Sequence, residues 1–191
     1  MICRKTEAKL KKVNEKIQIC TNCELHKLEC NIKDISKGYG KLYGWKAGQK
    51  CSFMFLGMNP SYIRFPQHEY AFGGINGTPG PGEKFNSILK DTGIFDDIFC
   101  DNIVHCSSLT NEIKLTWAQS CFMHLFEEIK ILQPKKIIVM GKQVHNILNN
   151  IFIENGIKIP ISIIWHPSYV FSYRRATVDE YKKMIIRACK F

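Results

Sequence analysis

Lys136-Ile-Ile-Val-Met140-Gly141 reads as a short buried strand closed by a glycine, and Lys142 to Ile153 follows at once as a helix. The same grammar repeats on both sides. Thr116 can cap a helix from Trp117 to Leu132 that stops before Pro134, where a proline cannot continue it. Ser52-Phe-Met-Phe-Leu56 is a strand ending at Gly57, and Glu83 to Thr92 is a helix closed by Gly93. Asp97 to Cys106 is a further strand, Ile159 to Trp165 another that ends at His166, and Val178 to Ala188 the last helix. Strands alternating with helices of 10–16 residues predict a parallel sheet covered on both faces. The fold class is therefore α/β, a three-layer α/β/α sandwich on a central four-stranded parallel sheet. At the amino end, Leu10, Val13 and Ile17 recur at helical spacing within residues 4–18, and residues 31–50 read as loop around Gly38, Gly40, Gly44 and Gly48. No repeat or linker divides residues 1–191, so a single domain is expected.

Composition narrows the class. Hydrophobic residues make up 45% of the 191, yet no apolar run approaches the ~18 residues a membrane helix needs. With no signal-peptide pattern either, the chain reads as a soluble, monomeric protein of the reducing cytoplasm. Nine cysteines are an odd number at uneven spacings, which argues against a disulfide framework. Cys3, Cys30, Cys51, Cys100 and Cys189 read as small buried packing residues. The net charge of +10 is concentrated. Residues 1–50 carry 12 basic and 5 acidic side chains, whereas residues 51–191 carry 15 and 12. A polyanionic partner, nucleic acid above all, explains that asymmetry through counterion release, and a lysine-rich solvated helix is the alternative.

The remaining cysteines form two pairs. Cys20-Thr-Asn-Cys23 is a tight pair, and Cys106 and Cys121 are separated by 14 residues. The pairs lie 82 residues apart, so only folding can join them. Four thiolates suit either an iron–sulfur cluster or a structural zinc, and spacing does not choose between them. Gly57-Met-Asn-Pro-Ser61 and His166-Pro-Ser168 each follow a strand, where open α/β sheets place their ligand sites. The other histidines (His26, His68, His105, His124 and His145) carry no such context and read as structural or surface residues.

In this order the motifs resemble the uracil-DNA glycosylase superfamily, most closely its iron–sulfur branch, from about Cys20 to Arg174. The resemblance implies a [4Fe–4S] cluster, with zinc the alternative, on Cys20, Cys23, Cys106 and Cys121, holding the basic amino-terminal helix against the sheet. It implies a base pocket of Gly57, Met58, Phe72 and Asn102, with Phe72 stacking on a flipped base and Asn102 reading its pairing edge. It makes Asn59 the residue that positions water and His166 the donor to charge developing on the departing base. Ser168, Tyr169, Arg174 and Arg175 fall where the superfamily wedges and grips the duplex. Ser61-Tyr62 would crowd the pyrimidine C5 position and exclude thymine. One departure stands out. The iron–sulfur branch carries an acidic residue in the first motif, whereas Gly57-Met-Asn-Pro60 is similar to the single-strand-selective and mismatch-specific branches. The expected activity is hydrolysis of uracil from DNA to leave an abasic site. Hypoxanthine, a mispaired thymine, or DNA binding without catalysis are the other outcomes the motifs allow.

Overall fold

The computed structural model describes residues 4–25, 43–48, 50–60, 70–72, 81–108 and 113–190. Cys3, Cys30, His26, His68 and the Ser61-Tyr62 pair lie outside them, as does Gly73 beside Phe72. The described elements run α1 (Arg4–Gln18), β1 (Trp45–Gly48), β2 (Phe53–Gly57), α2 (Pro81–Asp91), β3 (Asp97–Asn102) and α3 (Leu115–Leu132). They continue with β4 (Lys136–Met140), α4 (Lys142–Glu154), β5 (Ile161–Ile164), α5 (Pro167–Phe171) and α6 (Val178–Ala188).

The strands form one sheet in the order β1-β3-β2-β4-β5. The four inner and carboxy-side strands are mutually parallel, as their alternation with helices predicts, and β1 pairs antiparallel with β3. This fifth strand lies in a stretch read as loop. Trp45 and Ala47 point inward from it, and the Trp45 indole donates to the Ala71 carbonyl at 2.7 Å. A four-residue strand that follows Gly44 and ends on Gly48 is too short for an alternation to show in the sequence, so neighbouring structure decides its state. The short α5, five residues from Pro167 to Phe171, was likewise not expected from the sequence.

Side chains alternate across the sheet with the two-residue period of a strand. Met54, Leu56, Ile137 and Val139 pack against α3 and α4, together with Leu25, Phe122 and Leu148. Phe53, Phe55, Ile138 and Met140 pack on the opposite face with Phe85, Ile185 and Tyr181. Both clusters are dense enough that truncating a fully buried ring such as Phe55 should cost about 3–5 kcal/mol. No helix among the described residues is long and apolar enough to cross a membrane.

Candidate active site

Four parallel strands end on one edge of the sheet, and the residues singled out by the motifs follow those ends. β2 closes at Gly57 directly beside Asn102, the last residue of β3. The pairing continues past the strands, with Ile103 N donating to Gly57 O and Val104 N to Met58 O, both at 3.0 Å. Gly57 is required by what lies over it. A Cβ there would come within 2.5 Å of Asn102 Oδ1 and 2.7 Å of the Phe72 ring. Only a bare Cα lets the amide and the ring converge, so the structure brings Gly57, Phe72 and Asn102 into one site.

Asn102 is buried, while Phe72 keeps part of its ring open and rests against Phe85 at 5.7 Å between centroids. Phe72 holds a left-handed backbone with φ of 53°. Among the described residues, the other non-glycine residues in that region are Gln133, which caps α3, and Arg174. Strain of this kind costs on the order of 1–3 kcal/mol and collects at functional positions.

Asn59 lies two residues beyond β2. Its amide nitrogen donates to Ser108 Oγ at 3.1 Å and to the Pro60 carbonyl at 3.2 Å. The carbonyl can only accept, so it fixes which end of the amide faces it. Oδ1 is then the atom left to accept from a water. Ser108 was not foreseen, because nothing in its sequence context distinguishes it from a loop serine.

His166 follows β5, two strands across from β2, and caps α5. Its Nδ1 accepts a 3.2 Å hydrogen bond from the backbone N–H of Ser168. An accepting Nδ1 leaves the ring proton on Nε2, which is free to donate. Crowding by protein atoms desolvates the ring and lowers its pKa from 6.5 to about 4. Solvent still reaches the side chain, which weakens the shift without reversing it, so the imidazole is neutral at pH 7.

Tyr169 stacks near Trp165 at 5.4 Å, and its carbonyl accepts from Arg175 N at 3.1 Å. Tyr173, Arg174 and Arg175 project into solvent beyond α5, with the Arg175 guanidinium 5.8 Å from the Tyr173 ring. Two shallow depressions elsewhere share no residue with this edge. One is lined by His145, Ile163 and Arg187, the other by Lys46, Lys50 and Cys51.

The four paired cysteines gather on the α3 face. Cys23, Cys106 and Cys121 belong to one packed cluster. Burial first of all pushes the Cys121 thiol up to about 12, against a backbone hydrogen bond from His105, and the nearby Cys23 and Cys20 add to the rise. The Cys20–Cys23 loop is strapped to α3. Glu24 Oε1 accepts from Trp117 Nε1 at 2.7 Å and from Lys114 Nζ at 2.6 Å, and Asn22 Nδ2 contacts Met123 Sδ at 3.0 Å. Four converging thiols fit a thiolate-ligated metal group. Among the described residues no three of these sulfurs lie within 4.8 Å of one another. A tetrahedral zinc with bonds of about 2.3 Å draws its sulfurs to roughly 3.8 Å. Cys51, Cys100 and Cys189 lie apart from the quartet as packing thiols, each pushed up by burial.

A family model described as the uracil DNA glycosylase superfamily matches residues 46–190, and the chain belongs to that superfamily of DNA glycosylases. Among solved structures, the fold is similar to that of SMUG2 from Pedobacter heparinus. The TM-score is 0.59 at 10% identity, covering 73% of this chain and 75% of that one. Comparison with curated protein sequences finds no match.

Proposed function

We propose that the protein is a monofunctional glycosylase that hydrolyses uracil from DNA, working inside the cell as a monomer. The observation that carries this reading is the convergence of Phe72 and Asn102 over the bare Gly57, beside an Asn59 whose amide nitrogen is tied back. A flipped uracil would stack on the open face of Phe72, and the Asn102 amide would pair with its N3–H and O4. As the C1′–N1 bond breaks, its electron pair moves into the base. Nε2–H of neutral His166 donates to the charge growing on O2. Asn59 Oδ1 accepts from a water held for attack at C1′, and the oxygen becomes the sugar hydroxyl while its proton leaves to solvent. An amide orients water without removing its proton, which suffices when the base departs before water attacks.

Cys20, Cys23, Cys106 and Cys121 would hold a [4Fe–4S] cluster as a structural clamp between the amino-terminal segment and the sheet. Four gathered thiolates suit an iron–sulfur group, and zinc is the alternative ligand-compatible metal. Tyr169, Ser168, Arg174 and Arg175 would meet the DNA.

The test is incubation with labelled oligonucleotides containing uracil, hypoxanthine or a G·T mismatch, followed by alkaline cleavage of abasic sites. Cleavage at uracil is the expected result, with no borohydride-trapped adduct. Cleavage only at another base would reassign the lesion. Absence of cleavage with retained binding would make the protein a non-catalytic DNA binder, the outcome kept in view by Asn59 standing where an acid is usual.

A further inference from the structure

Asp101, His105 and Glu128 form a second donor set, apart from the thiols. Their ligand atoms all lie within 4.8 Å of one another, and the side chains are at most 1% exposed. Asp101 lies on β3, His105 in the segment that follows, and Glu128 in the fourth turn of helix Leu115–Leu132, buried against them. None of the four carboxyl oxygens receives a hydrogen bond from another donor, and Glu128 and Asp101 stand close enough to each other to share a proton. The approach of His105 Nδ1 to Asp101 Oδ1 is 3.5 Å, too long for a good bond.

Two carboxyl groups buried face to face without donors are expensive. A buried carboxylate needs a partner or an ion, and unpaired polar atoms cost roughly 1–3 kcal/mol each. A single shared proton would serve one oxygen of each carboxyl and leave the others without a donor. A divalent cation would serve both carboxylates and the imidazole together. Bonds of about 2.0–2.2 Å set neighbouring ligand atoms roughly 3–4 Å apart, so the observed set needs to close by less than about 2 Å. One nitrogen and two carboxylate oxygens suit a first-row divalent ion, and zinc takes this ligand set in His/carboxylate sites.

We infer that Asp101, His105 and Glu128 form a binding site for one divalent cation such as Zn²⁺, distinct from the four-cysteine centre. The ion would pin a short peptide that serves both sides of the molecule. Asp101 precedes Asn102 of the base site, and His105 precedes Cys106 of the thiol set. The second imidazole beside it, His124, has its ring centroid 6.0 Å from that of His105, and it stands as an outer neighbour rather than a ligand.

The test uses whole protein purified from zinc-supplemented culture. Metal analysis should find one zinc per chain in the parent that is missing in Glu128→Gln and in Asp101→Asn, with the visible spectrum of the cysteine centre unchanged. Zinc X-ray absorption on the parent needs no variant. Nitrogen and oxygen ligands at about 2.0–2.1 Å support the site, whereas a shell of sulfur alone near 2.3 Å places zinc on the cysteines and overturns it. Equal zinc in the parent and Glu128→Gln also overturns it, and a Gln variant that melts at or above the parent temperature would identify a protonated Glu128 instead.

Discussion

Asp101 and Asn102 are adjacent in β3 and face opposite sides of the sheet, and the two sides differ in kind. On the α3 side, Asp101 joins a closed interior of thiols, carboxyls and imidazoles, with the Cys20–Cys23 loop strapped over it by Glu24. On the other side, Asn102 meets a half-open ring and a glycine at the strand edge. One face is built to hold and the other to act. The difference teaches that polar residues are buried here for two reasons. The Asp101 and Glu128 carboxyls on the closed side call for a proton or an ion, whereas Asn102, in the proposed role, serves a ligand that brings its own donors and acceptors.

The comparison breaks most visibly through the thiols. If the four thiols hold the proposed [4Fe–4S] cluster, the parent should be brown and contain iron, Cys106→Ala or Cys121→Ala should abolish both, and metal loss belongs to the class of changes above about 4 kcal/mol. For a chain of this length that lowers Tm by roughly 10 °C. Cys189→Ala, a packing thiol on the opposite face, should keep the metal. Zinc in place of iron in the parent would remove the cluster from the reading, and colour retained in Cys121→Ala would remove that residue from the ligands.

On the open side the largest effect belongs to His166. His166→Ala should slow single-turnover cleavage by roughly 10²–10³-fold, the range for losing one preorganised donor. Binding to DNA with an uncleavable uracil analogue should change far less, because the bond strengthens only as charge develops. Stability gives an independent readout. Desolvation holds the folded pKa below the ordinary 6.5, though less far than the about 4 of a fully buried ring, so the unfolded chain binds the proton first as pH falls. The contribution is complete above about pH 6.5 and is lost as pH drops through the lowered folded pKa. The urea midpoint of His166→Gln should therefore fall less than that of the parent between pH 7 and 4.5. Identical slopes would show an unperturbed ring.

Much of this was legible from residues alone. The strand–glycine–helix grammar around Met140 and the apolar run at Phe53 are local patterns, and they located the parallel sheet. Gly57 and His166 stood out because strand ends carry ligands in such sheets, whereas Asn102 was singled out only by the family resemblance. What stayed hidden depends on contacts between distant segments. Trp45 becomes a strand residue only against Cys100, Ser108 matters only because Asn59 reaches it, and Glu24 only because α3 offers it Trp117. His105 had no local feature to separate it from the other histidines; its setting comes from Asp101 and Glu128, the latter 23 residues further on.

Smaller changes sharpen the base site. Asn102→Ala should relax discrimination between uracil and cytosine by roughly 10–100-fold, the scale of one or two hydrogen bonds to a buried partner. Gly57→Ala should reach a similar end by displacing Phe72 and Asn102, and it should leave the metal content untouched. Asn59→Asp keeps an acceptor at Oδ1, and the Ser108 hydroxyl can turn to donate to the new oxygen. The lost donor to Pro60 is its main defect, so it should retain more activity than Asn59→Ala. Equal rates for the two would show that Asn59 does not hold the water.

The smallest effect concerns Arg174 and Arg175, which lie past the site and, as proposed, would touch the reaction only through DNA. If they contact phosphates, replacing both should reduce the slope of log affinity against log salt by about two, while the single-turnover rate at saturating protein stays unchanged. The backbone makes one substitution cleaner than the usual alanine. Arg174 holds φ at 51°, a conformation glycine adopts without steric penalty. Arg174→Gly therefore removes the charge while easing the turn, and Arg175→Gln keeps the stem that lies near Tyr173. Measured on duplexes with and without uracil, the double variant should weaken both equally, because a phosphate contact carries no base information. A loss confined to uracil-containing DNA would move this loop from the grip on the backbone into the reading of the base.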